Sequence, residues 1–374
     1  ERADAATAPE LPVIGFEPTE EQALVVETVR AFAEKELRPL ARECDESRRI
    51  PRALLERAHE LGLVANALPP EFGGGGERSA QTGALVAEEL AWGDLSLALA
   101  ILSPALTAFP VADFGSEAQK RELLPRYAGD AFVPGALALV EPRFGADPFR
   151  PETTARRDGK DWVLAGRKCL VPWLEGDGAL LVSARENGAA RLFLVRRDAR
   201  GLGVTPERNL GIQALPTVEL ALDDVRVAEA ARLGGERGAD VASVVARGRV
   251  ALAATGVGVA RAAFEIARDY AKERHAFGAP IATKQAIAFK LADMAIEIDG
   301  ARLLVWKAAW RLDQGGDALR DATLAYQQVR RVALQACDGA VQVLGGHGYT
   351  REYLPEMHLR NARGYAAFEA LALV

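Results

Sequence analysis

The chain has 374 residues, which is too long for one compact core, so two or three domains are expected. Apolar residues make up 49% of it and charged residues 26%, a composition typical of globular proteins. The formal net charge of −6 leaves no basic excess to neutralise phosphates, which argues against a nucleic-acid partner.

The cysteines and histidines show no pattern of a disulfide framework or a metal site. Cys44, Cys169 and Cys337 lie far apart with no CxxC pair, which suits a reducing compartment. No apolar run reaches about 18 residues, so no membrane-spanning helix is expected. The opening residues lack the features of a signal peptide and begin without Met, so processing or trimming is expected. These features predict a cytoplasmic protein without a metal ion.

The first part of the chain, residues 17–132, is predicted to be helical. Thr19 is a candidate N-cap with Gln22 three residues later, as in a capping box. A second helical run ends near Gly62, a candidate C-cap. A buried helical hairpin is then predicted by the long apolar run QTGALVAEELAWGDLSLALAILSPAL.

Residues 133–233 change to short runs bounded by Gly, Pro and Asp, such as VPGALALV, DWVLAG, GALLVSAR and RLFLVRR. In TVELALDDVRV, the apolar residues Val218, Leu220 and Leu222 occupy alternate positions, which is the period of a half-buried strand. Several short strands without intervening helices predict an antiparallel β-barrel or sandwich.

Long helices return in residues 234–374. One face of the run KQAIAFKLADMAIEIDGARLLVWKAAW carries Ile287, Leu291, Met294, Ile298 and Val305. Residues 250–263 are rich in Ala and Gly, which permits close helix contact. A four-helix bundle is predicted here. The fold class is therefore α+β and mainly α, with an N-terminal helical domain, a middle β domain and a C-terminal bundle.

Taken singly, the motifs are weak. The GGGG run at 73–76 lacks the GxGxxG spacing of a dinucleotide fingerprint. The LGGHG run at 344–348 follows a helical pattern and fits a helix C-cap and turn. Glu369 has apolar sequence neighbours, and by itself it fits the end of a helix with its carboxylate reaching water.

Together and in this order, the motifs resemble the acyl-CoA dehydrogenase family from about Glu17 to Glu369. The resemblance is carried by FEPTEEQ and VRAFAEKELRPLA, GLVANALPPEFGG, LVAEELAWGDLSLA, FGSEAQKRELLPRYAGD, YAKERHAFGAPIATKQAIAFKLADMA and AVQVLGGHGYTREYLPEMHLRNAR. Any one match could be chance, whereas the ordered series is specific.

This resemblance implies a FAD enzyme that oxidises acyl-CoA or acyl-carrier-protein thioesters to 2-enoyl thioesters. In the family, a glutamate removes the α proton while flavin N5 accepts the β hydride. Electrons usually leave through an electron-transferring flavoprotein. FAD lies between subunits, so the resemblance also implies a homodimer or homotetramer.

Individual residues match the family's functional positions. Glu369 falls at the position of the catalytic base, nine residues after Arg360. Arg249 matches an Arg beside that base, although a surface charge at a helix start is an equally good account. The matched cofactor positions are Arg274 and Phe277 in ERHAFG, Gln342, Gly345 and Gly346 in QVLGG, and Val140 and Pro172 in the middle domain.

The middle domain departs from the family pattern of a TEP-type turn and a WITNG-type strand. Val140 and Ala146 replace a Thr and a Ser of the first segment. Leu170 and Pro172 replace the aromatic residue and the Thr of the second, and Pro172 also lacks a backbone N–H. These changes remove side-chain hydrogen bonds to the flavin ring. An atypical member with an unusual thioester substrate is therefore predicted.

Two other functions fit the same fold. A flavin monooxygenase would use reduced flavin with oxygen, but such relatives generally lack the glutamate base, so Glu369 counts against it. A flavin-free member could act as a partner subunit or as a non-redox acyl-thioester catalyst. The replacements at Val140, Ala146, Leu170 and Pro172 favour that second alternative.

Overall fold

The computed structural model of the chain describes residues 15–76, 78–365, 367–369 and 371–374. Its first part is helical, as predicted. The helices are α1 (Glu20–Phe32), α2 (Ala41–Ser47), α3 (Arg52–His59), α4 (Ala80–Gly93), α5 (Leu95–Ile101), α6 (Ala105–Phe114) and α7 (Glu117–Ala128).

Side-chain caps set four of these helix starts, those of α1, α4, α5 and α7. The predicted capping box is present on α1, because the Gln22 N–H donates to Thr19 Oγ1 and the Thr19 N–H donates to Gln22 Oε1. Asp94 separates α4 from α5, and its carboxylate accepts from the Leu97 N–H at 2.9 Å. Burial raises the pKa of Asp94 to about 6. The segment predicted as a helical hairpin is therefore divided at Asp94, and it contributes to three helices, α4, α5 and α6.

The middle of the chain forms one mixed sheet. Its strands are β1 (Ala136–Ala138), β2 (Thr154–Asp158), β3 (Asp161–Pro172), β4 (Leu180–Glu186), β5 (Ala189–Val195), β6 (Leu202–Pro206) and β7 (Thr217–Ala228). The strand order is β1-β4-β2-β3-β7-β6, with β5 paired to β4. β1 and β2 pair in parallel with β4, and the other pairs are antiparallel. The sheet is therefore mixed, where strand signals alone predicted an antiparallel one.

Buried apolar residues occupy alternate positions in the first half of β7, as its sequence predicts. Val218, Leu220 and Leu222 are buried, and they pack with Val171 of β3 in one apolar cluster of the sheet. Val171 pairs directly with Val218 across the two strands. One face of β7 thus forms core, as the period of two requires.

Long helices dominate the last part. The elements are α8 (Val241–Glu273), β8 (His275–Ala276), β9 (Ala279–Pro280), α9 (Gln285–Asp313), α10 (Leu319–Leu344), α11 (Gly346–Tyr349) and α12 (Pro355–Tyr365). α8, α9 and α10 pack against one another, and α12 packs on α8 and α10. The predicted stripe faces this core, since Met294, Ile298 and Val305 are buried.

Glycines bring α8 close to its neighbours. A Cβ at Gly258 would lie 2.2 Å from the carbonyl oxygen of Glu88 on α4, and one at Gly256 would lie 2.5 Å from a methyl group of Val329 on α10. Both contacts are closer than any side chain allows. The Ala- and Gly-rich segment of α8 is therefore what lets the N-terminal helices and the bundle share one core.

Two segments, Leu95–Phe114 and Val241–Glu273, are long and apolar enough to cross a membrane. The expectation that no such run exists was therefore wrong. In the most apolar stretch of each segment, 94% and 78% of the residues, respectively, are buried inside the protein. Packing against other helices accounts for this composition, so both segments are core elements.

The predicted fold class is confirmed: a helical part, a middle sheet and a helical bundle follow one another along the chain. The division at residues 132/133 and 233/234 stays a prediction.

Candidate active site

Glu369 forms an ion pair with Arg249 of α8. Arg249 Nη2 lies 2.9 Å from Glu369 Oε1, and Arg249 Nε lies 3.2 and 3.3 Å from Oε1 and Oε2. Arg249 Nη1 donates to Thr323 Oγ1 at 2.7 Å. The Arg249 and Glu369 side chains are 14% and 23% exposed. The carboxylate is therefore oriented by a charge-assisted contact with a planar guanidinium, and not by apolar neighbours alone.

Tyr326 holds the backbone next to Glu369, and Tyr365 packs against the Tyr326 ring. The Tyr326 hydroxyl donates to the Phe368 carbonyl. The Tyr326 ring meets the Tyr365 ring edge-on, with centroids 5.7 Å apart. Burial raises the pKa of Tyr326, and the nearby Glu369 carboxylate raises it further, so the hydroxyl keeps its proton. Sequence reasoning missed this contact, although a tyrosine within the buried stripe of α10 was an available signal.

Val140 and Pro172 lie on neighbouring segments of the middle sheet. The Cys169 N–H donates to the Val140 carbonyl at 3.0 Å, and Pro172 ends β3. Leu170, the residue after Cys169 in β3, has a φ of 55°, in the left-handed region that few side chains adopt. Its N–H donates to the two Glu207 carboxylate oxygens at 3.0 and 3.2 Å. β3 is bulged at this point, which redirects its side chains.

A buried ion pair beside these segments was also missed. Lys168 Nζ is 3.0 Å from Glu141 Oε1 and donates to the Leu139 carbonyl at 3.3 Å. Burial lowers the pKa of Lys168 to about 8. Burial opposes ionisation of Glu141 as well, but Lys168 and the N–H groups of Glu152 and Thr153 lower its pKa to about 2. The pair joins β3 to the segment that follows β1. A lysine in the strand DWVLAGRKCLVP was the signal available.

The other matched cofactor positions lie at the surface near the ends of α8 and α10. Arg274 follows α8 and is exposed, and Phe277 is 98% exposed with a φ of 54°. Gln342 is exposed on the last turn of α10. Gly345 and Gly346 follow that helix, and a Cβ at either would meet no atom of the described residues within 4 Å. Backbone and guanidinium groups are thus open to a ligand there.

The predicted site residues fall into three groups: Glu369 with Arg249, Val140 with Pro172, and the surface residues at the ends of α8 and α10. The structure joins Glu369 to Arg249 directly, and it joins Val140 to β3, which ends at Pro172. A cavity of about 450 Å³ is lined by residues of α1, α4 and α6 and by Leu373 and Val374, and its lining includes none of the predicted site residues. The described part of the chain contains no cluster of three metal-ligating side chains.

Three family models cover most of the chain. Residues 19–130 match the acyl-CoA dehydrogenase N-terminal domain, residues 136–225 the middle domain and residues 236–369 the C-terminal domain. The probable acyl-CoA dehydrogenase YngJ of Bacillus subtilis (strain 168) is 37% identical over 362 residues, covering 94% of each chain.

Solved structures agree with these matches. The butyryl-CoA dehydrogenase of Megasphaera elsdenii is 31% identical with a TM-score of 0.87, over 95% of this chain and 96% of that one. The prolyl acyl carrier protein oxidase AnaB is 26% identical with a TM-score of 0.86, over 94% of this chain and 96% of that one.

Proposed function

Because this chain belongs to the acyl-CoA dehydrogenase family, FAD-dependent oxidoreductases that act on CH–CH groups, we propose that it desaturates an acyl thioester between the α and β carbons. The observation that carries the proposal is the contact of Glu369 with Arg249. It orients one carboxylate at the family's base position.

Glu369 is proposed to take the α proton. A thioester α proton is only mildly acidic, so the base must be held within hydrogen-bond reach of it. Arg249 orients the carboxylate from one side, and Tyr326 holds the adjacent peptide through the Phe368 carbonyl. Bound FAD supplies the acceptor for the β hydride. The side chains of this chain therefore provide orientation and the proton acceptor.

The residues present fit the dinucleotide half of FAD more fully than its ring half. The open Gly345–Gly346 backbone can approach a pyrophosphate, and Arg274 supplies positive charge. Val140 and Pro172 offer no hydroxyl to the ring, so backbone groups must bind it there. Three missing side-chain hydrogen bonds, at about 0.5–1.5 kcal/mol each, would weaken binding by up to about a thousandfold. The dinucleotide contacts must then supply most of the affinity.

The proposed substrate is an acyl-CoA or an acyl-carrier-protein thioester. The two solved neighbours carry both kinds of name, butyryl-CoA dehydrogenase and prolyl acyl carrier protein oxidase. Comparing one acyl group on CoA and on a carrier protein decides between them, because only the carrier differs. The faster of the two flavin reductions identifies the carrier.

Anaerobic reduction of the bound flavin tests the function. Wild-type protein should lose its yellow absorbance when an acyl-CoA is added, and Glu369→Gln should keep both the absorbance and the flavin content. Full bleaching of Glu369→Gln would remove Glu369 from the mechanism. NADH-dependent oxygen uptake without bleaching by thioesters would instead support the monooxygenase. Protein purified without flavin would support the non-redox alternative.

The partners are proposed from the same family membership. An electron-transferring flavoprotein is the proposed electron acceptor, and the three unpaired cysteines suit a reducing, cytoplasmic location.

A homodimer or homotetramer is proposed because α9 exposes Phe289, Ile296 and Leu303 at a spacing of seven residues. Such a stripe lies on one helix face and favours burial against another subunit.

A further inference from the structure

Three aromatic side chains meet where the end of α8 lies beside α11. Tyr270 Oη and His347 Nδ1 are 2.8 Å apart. The His347 and Tyr353 rings are stacked, with centroids 5.1 Å apart and planes at 21°. Tyr270 meets these two rings edge-on at 5.8 and 6.2 Å. Tyr270, His347 and Tyr353 form an aromatic cluster in which each ring contacts the other two.

The aromatic cluster joins the two segments proposed to bind the dinucleotide half of FAD. Tyr270 lies on the last turn of α8, and its carbonyl accepts from the Arg274 N–H at 2.8 Å. His347 follows Gly345 and Gly346 directly in the chain. The Tyr270–His347 hydrogen bond therefore places Arg274 one helical turn from the contact that anchors the glycine pair.

The glycine pair has little packing of its own. Within the described part of the chain, a Cβ at Gly345 or Gly346 would meet no atom within 4 Å, and Gly345 has a φ of 60° that only glycine adopts easily. α11 has four residues, which is too short to be stable alone. Backbone hydrogen bonds from the Gly345 N–H hold the pair to the end of α10, and the side chain that follows it, His347, ties it to α8.

Tyr353 ties the aromatic cluster to the N-terminal helices. Its carbonyl accepts from Arg42 Nη2 of α2 at 2.7 Å, and Arg42 also pairs with Glu356 of α12. The cluster is thus braced from α2, α8 and α12 at once. A braced contact of this kind limits how far the glycine pair can move.

We propose that Tyr270, His347 and Tyr353 are positioning residues for FAD, holding the glycine pair and Arg274 in one arrangement that receives the pyrophosphate. This inference rests on the proposed assignment of those segments to FAD. A preorganised site avoids the cost of ordering loops on binding. Loosening the aromatic cluster therefore weakens FAD affinity and leaves the chemistry at the flavin ring unchanged.

The dissociation constant of FAD tests the inference, measured from the fluorescence of flavin released when purified holoenzyme is diluted. Tyr270→Phe removes one hydroxyl and keeps the ring, and it should raise the dissociation constant about fivefold. Combining it with His347→Leu should weaken binding no further than His347→Leu alone, because both changes remove one shared contact. The absorption maxima of bound flavin and its reduction rate at saturating FAD should stay at wild-type values.

Two further variants make the outcome decisive. Tyr349→Phe is the matched control, because Tyr349 is exposed on the same short helix, and its FAD affinity should match wild type. Arg274→Ala tests the underlying assignment, since unchanged affinity there would remove Arg274 from the FAD site. Weaker binding in Arg274→Ala with wild-type binding in Tyr270→Phe would overturn the positioning role alone. Strictly additive effects of the two cluster substitutions would overturn it as well.

Discussion

Arg249 donates to three oxygens at once, two on Glu369 and one on Thr323. A lysine in its place keeps the charge but lacks the planar fork that orients both carboxylate oxygens. We expect Arg249→Lys to slow anaerobic flavin reduction by an acyl thioester about tenfold or more, which corresponds to about 1.4 kcal/mol of lost orientation. Rapid-mixing absorbance measures this rate.

Thr323→Val is the control for that experiment, because it removes only the third contact of the guanidinium. Its reduction rate should fall less than that of Arg249→Lys, and both variants should contain as much flavin as wild type. An unchanged rate in Arg249→Lys would show that the charge alone matters.

His358 is a second residue whose surroundings predict a measurable effect. It is fully buried on α12, and neither ring nitrogen has a hydrogen-bond partner among the described residues. Burial, with smaller effects of Arg38 and Arg42, lowers its pKa from 6.5 to about 3. Below about pH 6.5, His358 becomes protonated in the unfolded chain but stays neutral in the folded chain. Stability present above that pH is therefore lost as the pH falls toward 3.

We expect His358→Leu to remove this loss. Between about pH 7.5 and about pH 5, the free energy of unfolding should fall by about 2 kcal/mol less in the variant than in wild type. Denaturant titrations at the two pH values measure the difference. His275→Asn is the control, since His275 is exposed, and it should follow wild type. Equal acid sensitivity in His358→Leu would contradict the assignment.

At the scale of helices and strands, close approach depends on single glycines. Gly258→Ala would place a Cβ against the Glu88 carbonyl, and neither backbone can yield without shifting α4 or α8. We expect a loss of about 2 kcal/mol or more in the free energy of unfolding. Gly339→Ala on α10 is the matched control, because its Cβ would meet the flexible Met294 side chain. Its stability should stay within about 1 kcal/mol of wild type.

Chemical denaturation of both glycine variants at saturating FAD makes the comparison. Equal stabilities would mean that α4 and α8 can separate at little cost.

The sheet shows a related dependence on tertiary contacts. β7 alternates as its sequence predicts, whereas the parallel pairing of β1 with β4 brings together strands far apart in the chain, which local periodicity does not encode.

At the scale of the whole molecule, the exposed apolar stripe of α9 predicts self-association. Ile296 lies at the centre of the stripe, between Phe289 and Leu303. Ile296→Glu places a charge where a second subunit would bury it, so the mass measured by light scattering should fall toward that of one chain. Leu24→Glu is the control, since Leu24 is exposed on α1 and does not belong to the stripe. An unchanged mass in Ile296→Glu would exclude this face from the interface.

Much of this protein follows from its sequence alone. The order of helices, strands and helices, the capping box at Thr19, the buried stripe of α9 and the half-buried face of β7 are local patterns, and each is present in the structure. Periodicity and caps depend on residues within a few positions of one another, so both can be recognised in the sequence without knowledge of the tertiary structure. The same ordered motifs were sufficient to identify the family.

Contacts between residues far apart in the chain were decided by the tertiary structure. Glu369 and Arg249 are 120 residues apart, and Tyr270 and His347 are 77 apart. The burial of Lys168 against Glu141 likewise depends on how β3 meets the segment after β1. A sequence pattern tells which face of an element is buried but not which partner it meets. The partner of Glu369, and the packing that holds the glycine pair after α10, are therefore properties of the folded molecule.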